Sequence, residues 1–141
     1  MKLAVPSRLE DVRALAAALR AACVAKGVKP EDADALELST TEAVNNVVKH
    51  AYRDDSVREV EVKLTVRANS AEVRVFDWGA PIPPDRLTDI PDELPFDPRD
   101  TASLTESGMG LFLIKKLVDE VRYESGGGLN CLTMLRMLRG A

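Results

Sequence analysis

Apolar positions recur at intervals of three and four over the first fifty residues and at intervals of two from residue 60, so the chain begins helical and turns extended. Leu9, Val12, Leu15, Ala16, Leu19, Ala22 and Cys23 share one helical face, alanines fill between them, and Gly27 supplies a stop. Before them Ser7-Arg8-Leu9-Glu10 reads as a capping box, with the Ser7 hydroxyl accepting from the Glu10 N–H and the Glu10 carboxylate reaching back to Ser7. Residues 2–5 form a short strand ended by Pro6. Pro30 starts a second helix, with Glu31, Asp32 and Asp34 at its positive dipole end, and this helix runs to about Tyr52.

Val60, Val62, Leu64 and Val66 alternate with polar residues, Asn69-Ser70 turns the chain, and Val73 and Val75 continue the alternation to Asp77-Trp78-Gly79. So short a link requires an antiparallel hairpin. Residues 78–107 lose all periodicity and carry Pro81, Pro83, Pro84, Pro91, Pro95 and Pro98. An irregular run of this length inside a domain reads as a functional lid. A third helix follows from Gly110 through Leu111, Phe112, Ile114, Leu117 and Val118 to Val121. A strand over 121–125, a Gly126-Gly127-Gly128 turn that needs positive φ, and a closing strand over 130–138 complete the chain. The order β-α-α-β-β-lid-α-β-β predicts an α+β two-layer sandwich, with helices on one face of a mixed, mainly antiparallel sheet.

Composition narrows the picture. The chain has 141 residues, enough for one domain over 1–141 and too few for two ordinary ones. Its formal net charge of -4 argues against a nucleic-acid surface, which is normally basic. A polyanion must instead meet backbone N–H groups, a few local cations or a divalent metal. Cys23 and Cys131 stand in no metal-ligand or CxxC spacing and read as buried small hydrophobes. No apolar run approaches membrane-spanning length and no export signal is visible, so the expectation is a cytoplasmic protein with no membrane partner.

The chemistry concentrates in Thr40-Thr41-Glu42-Ala43-Val44-Asn45-Asn46-Val47-Val48-Lys49-His50-Ala51-Tyr52. Glu42, Asn46 and His50 are four apart, so they project from nearly one face, while Ala43, Val44, Val47, Val48 and Ala51 form an apolar stripe on the other. Taken alone, such a stripe is an ordinary solvated helix face. Asp77-Trp78-Gly79 alone is a turn, and Gly108-Met109-Gly110 before a helix is a common glycine pair whose following N–H groups make an anion site.

In this order and spacing, Asn46, Asp77-Trp78-Gly79, Gly108-Met109-Gly110 and Thr133 resemble the N, G1, G2 and final-threonine elements of the GHKL ATPase superfamily, which includes DNA gyrase and sensor histidine kinases. Within it, Glu42 to Tyr52 followed by Ser107 to Tyr123 is most similar to the anti-sigma-factor serine kinases, the small stand-alone branch with a histidine-kinase-like ATPase domain. The resemblance covers about residues 7–138. It implies the cofactors ATP and Mg²⁺, with Asn46 the Mg²⁺ ligand, Glu42 the general base, and Asp77 accepting from the adenine amino group. Gly79 would let the backbone approach the base. Thr133 would join through its hydroxyl or a water, and Ser107, Gly108, Met109, Gly110 and Leu111 would hold the phosphates, with His50 a further nucleotide contact. It further implies that a serine on an anti-sigma-factor antagonist is phosphorylated, that an alternative sigma factor is sequestered, and that the protein is a homodimer.

Two departures from that pattern stand out. Thr105-Glu106 precede Ser107 where members of the branch often carry a basic residue, and Asn130-Cys131-Leu132-Thr133 replaces the usual Gly-Thr run of the last strand. Both leave open an alternative, a partner-switching module that binds ATP without transferring phosphate. A detached histidine-kinase catalytic domain is disfavoured, because the lone histidine, His50, already lies on the nucleotide stripe.

Overall fold

The alternation of the middle strands sets the sheet. β2 (Glu59–Val66) buries Val60, Val62 and Leu64, and β3 (Ser70–Asp77) buries Ala71, Val73, Val75 and, in the same row, Asp77. Val62 lies opposite Val75 and Leu64 opposite Val73, so both apolar rows look to one side. The structure is a computed structural model and describes residues 2–6, 9–52, 59–83 and 110–138. The other strands are β1 (Lys2–Pro6), β4 (Glu120–Gly126) and β5 (Leu129–Met137), and the order across the sheet is β1-β2-β3-β5-β4. Every pairing among the described residues is antiparallel, a simpler sheet than the mixed one expected. The reason is topological: two hairpins, β2–β3 and β4–β5, dock side by side through β3 and β5. In the second hairpin Gly126 pairs with Leu129, leaving Gly127 and Gly128 as a two-residue loop with φ of 62° and 82°. Such a loop needs positive φ at both positions, which glycine adopts without strain.

α1 (Leu9–Ala25), α2 (Pro30–Asn46) and α3 (Gly110–Leu117) lay their apolar stripes on the inner row of the sheet. Val12, Leu15 and Leu19 of α1, Leu36 and Val44 of α2 and Ile114 of α3 join Val60, Val73 and Met134 in one continuous core. Each such side chain contributes about 1.5–3 kcal/mol when fully buried. Pro30 opens α2 with Glu31 and Asp32 in its first turn. Cys23 and Cys131 are buried free thiols, as their spacing suggested.

Two helix ends differ from expectation. The second helix does not run evenly to Tyr52 but widens after Asn46 into a π-helical turn, Val47–Ala51, closed by the Tyr52 N–H on the Val47 carbonyl at 2.8 Å. The third helix stops at Leu117 rather than Val121, because β5 captures its end. The Arg136 guanidinium donates to the Leu117 carbonyl, the Asp119 N–H donates to the Leu135 carbonyl at 2.8 Å, and the chain enters β4 at Glu120. The capping box at Ser7 and residues 84–107 of the expected lid lie outside the described residues. Among the described residues no helix is long and apolar enough to cross a membrane.

Candidate active site

The polar stripe of α2 is not solvated. Glu42 is only 8% exposed, and it meets the first turn of α3: a Cβ built on Gly110 would stand 3.0 Å from Glu42 Oε2 and 3.8 Å from Asn46 Nδ2. Glycine at 110 thus brings α3 against both polar groups. Burial pushes the Glu42 carboxyl above the usual carboxylate range, against a smaller opposing pull from the Lys49 ammonium. The Asn46 amide nitrogen is buried with no hydrogen-bond partner among the described residues. A buried amide left unpaired costs about 1–3 kcal/mol, so Asn46 is a polar group with bonding capacity to spare beside Glu42.

Asp77 ends the inner row of β3, where a carboxylate follows three apolar side chains into the core. Its Oδ1 accepts from the Gly79 N–H at 2.9 Å and from the Asn130 amide at 2.8 Å. Gly79 has a steric cause of its own. A Cβ there would stand 2.5 Å from the Ala51 carbonyl oxygen and 2.7 Å from Tyr52 Cδ1. With only hydrogen at that point, the turn after β3 closes on the π-helical turn and the Ala80 N–H caps the Ala51 carbonyl at 3.1 Å. The Tyr52 hydroxyl locks the same junction, accepting from the Trp78 N–H at 3.1 Å and donating to the Glu59 carbonyl at 2.5 Å.

Asn46 and Asp77 line one cavity. Its walls are Ala43 and Val47 of the second helix, Val75, Leu132 and Leu111 from the core, and Pro81, Ile82 and Tyr123 at the rim. Apolar walls with a small number of placed polar groups are the usual make-up of a small-molecule site. The Tyr123 hydroxyl accepts from the Ile82 N–H at 2.9 Å and so holds residues 81–83 beside the opening. Burial raises the Tyr123 phenol further above its usual value, with the Asp77 charge adding to the rise and the Ile82 hydrogen bond opposing it.

The register moves one expected contact. Thr133 lies opposite Arg74, in the row that points away from Asp77, whereas Asn130 lies directly opposite Asp77. Asn130, Leu132 and Met134 face inward; Thr133, flanked by two of them, cannot. Sequence reading missed Asn130, Tyr123 and Tyr52. The phase of Leu132 and Met134 was the available signal for Asn130, while the two tyrosines act through contacts remote in sequence. His50 falls in the π-helical turn by its backbone, and its side chain is outside the described part of the structure. Ser107, Gly108 and Met109 also lie outside the described residues, while Leu111 is buried beneath the cavity.

A family model described as the histidine kinase-like ATPase domain matches residues 5–136. The chain belongs to that family. Its relatives include the serine-protein kinase RsbW of Bacillus velezensis, 31% identical over 99% of this chain and 86% of its own length, and that of Bacillus subtilis, 30% identical with the same coverage. Both carry the serine-protein kinase name of the branch that the sequence resembled. A crystal structure of the RsbU and RsbW domains of a Mycobacterium tuberculosis protein shares the fold, with a TM-score of 0.63 at 21% identity. The chain spans about a third of that larger protein's length (34%) and all of its own. A chain in the crystal structure of the SiaB–SiaC complex of Pseudomonas aeruginosa is matched in fold with a TM-score of 0.61 at 15% identity, over 98% of this chain and 89% of the matched one.

Proposed function

We propose that this ATPase-family domain is an ATP- and Mg²⁺-dependent serine-protein kinase that acts as an anti-sigma factor. The observation that carries the reading is that Asn46 and Asp77 line one cavity, with the Asn46 amide unpaired and Glu42 beside it at the start of α3. Asp77 accepts from the adenine amino group, and the apolar walls sandwich the ring. The N–H groups of the first turn of α3, with Ser107, Gly108, Met109 and Gly110, hold the phosphates.

The Asn46 side chain fits a magnesium ligand. Asn46 lines the cavity with its amide nitrogen unpaired among the described residues, and its amide oxygen is the kind of donor taken by a hard cation that keeps waters and phosphate oxygens and needs few protein ligands. Bound there, the ion supplies charge neutralisation to the transferring phosphoryl group. Glu42 takes the proton of the attacking serine hydroxyl, a task for which a carboxylate raised toward neutrality is suited. Residues 78–107 close over the nucleotide and the partner.

The name serine-protein kinase carried by relatives about 30% identical supports a protein serine as the acceptor. The acceptor is an anti-sigma-factor antagonist, and its phosphorylation frees the kinase to sequester an alternative sigma factor. The protein is a cytoplasmic homodimer. The test is transfer of labelled γ-phosphate to the antagonist by the wild-type protein and by Glu42→Gln. Transfer falling by about 100-fold in the variant, with ATP binding kept, supports the kinase. Binding without transfer in either protein overturns it in favour of the partner-switching module.

A further inference from the structure

Asn130 makes three hydrogen bonds, and their directions are fixed by what each partner can do. Its amide nitrogen donates to Asp77 Oδ1 at 2.8 Å and to the Gly79 carbonyl at 2.9 Å. Both are acceptors only, so the NH₂ group must face them. Its amide oxygen accepts from the Ser125 hydroxyl at 2.5 Å, across the β4–β5 hairpin. Asn130 is 1% exposed and Asp77 5%, so the bond between their side chains is not exchanged freely with water.

The consequence falls on the carboxylate of Asp77. Oδ1 is occupied by two donors, the Gly79 N–H and the Asn130 amide, and the side chain cannot rotate without breaking both. That leaves Oδ2 as the oxygen presented to the cavity, in a fixed plane. A carboxylate held in this way favours a ligand donor and repels a ligand carbonyl, whereas a mobile one can turn away from either.

We infer that Asn130, oriented by Ser125, is the positioning residue that sets purine selectivity by fixing the Asp77 carboxylate. The inference rests on the nucleotide reading of the cavity. It adds to that reading that discrimination between a 6-amino and a 6-oxo purine resides in the β4–β5 hairpin as well as in Asp77.

The test compares calorimetric affinities for ATP and inosine 5′-triphosphate, each with Mg²⁺, in the wild-type protein and in Asn130→Leu, Asn130→Thr and Ser125→Ala. Asn130→Leu is expected to lower the ATP-to-inosine-triphosphate affinity ratio by about tenfold or more, the size of one charge-assisted hydrogen bond, while inosine triphosphate binding stays within about threefold. Asn130→Thr, which can still donate once to Asp77, should restore part of the ratio. Ser125 is exposed, so Ser125→Ala leaves the core intact and should lower the ratio by about threefold even if Asn130→Leu fails to fold. An unchanged ratio in the folded variants overturns the assignment alone. Absence of ATP binding by the wild-type protein overturns the nucleotide reading beneath it.

Discussion

Gly110 faces Glu42 so closely that a methyl group on it would stand 3.0 Å from the carboxylate oxygen Oε2. The start of α3 and the candidate base of α2 are therefore one unit, and glycine at 110 is a condition of their approach. Gly110→Ala should displace the Glu42 carboxylate by a few tenths of an ångström. We expect the phosphoryl-transfer rate to fall by about tenfold while ATP affinity changes by less than about threefold, because misplacement affects the reacting geometry more than binding. Single-turnover kinetics beside calorimetry separates the two quantities.

Burial of Glu42 gives a pH dependence with a definite sign. The folded carboxyl ionises above its unfolded value of about 4.3. Below that value both states are protonated and the contribution of the neutral acid to stability is complete. As pH rises through the folded pKa that contribution is lost, since the unfolded chain releases its proton first. Glu42→Gln should therefore melt higher than wild type at pH 7 to 8, with the difference shrinking toward pH 4. The transfer rate should rise with pH, with a midpoint above the ordinary glutamate range. A melting difference that grows on acidification would contradict the assignment.

Gly79 closes the turn after β3 on the Ala51 carbonyl. Backbone stands where a Cβ would go, so Gly79→Ala should destabilise the fold by about 1–3 kcal/mol, the range of an overpacked core site. Urea unfolding measures it. Tyr52→Phe, which removes the bonds to Trp78 and Glu59 without adding volume, should cost about 1–2 kcal/mol by the same measurement.

Arg136 of β5 reaches both other ends of the helical layer, bonding Asp32 in the first turn of α2 at 2.8 Å and the last carbonyl of α3. Asp32 is 6% exposed, so Arg136→Met leaves a buried carboxylate unpaired and should cost about 2–4 kcal/mol. The double variant with Asp32→Asn should recover part of the loss. Strict additivity of the two losses would show that the pair is not coupled.

Where local pattern and contact coincide, the sequence was sufficient. Period-two alternation put Val60, Val62, Leu64, Val73 and Val75 on one face, and the same phase placed Asp77 at the end of that row. The helical stripe of Ala43, Val44 and Val47 was legible for the same reason. The π-helical turn was not, since no residue in Val47–Ala51 announces a change from four to five residues between bonded groups. Nor was Asn130 beside Asp77, which depends on β5 docking against β3 across a separation of 53 residues. Thr133 was favoured by resemblance to a motif, yet its neighbours Leu132 and Met134 already assign it to the outer row. Gly79 was expected to serve a ligand's approach, and a Cβ there would meet the chain's own Ala51 carbonyl.

If the cavity joining Asn46 to Asp77 binds ATP, calorimetric titration of the purified protein with ATP and Mg²⁺ should show saturable one-site binding. Asp77→Asn should weaken that binding by at least about tenfold, the loss of a charge-assisted hydrogen bond. No heat of binding up to millimolar ATP, or equal affinity in the two proteins, would rule out this nucleotide site.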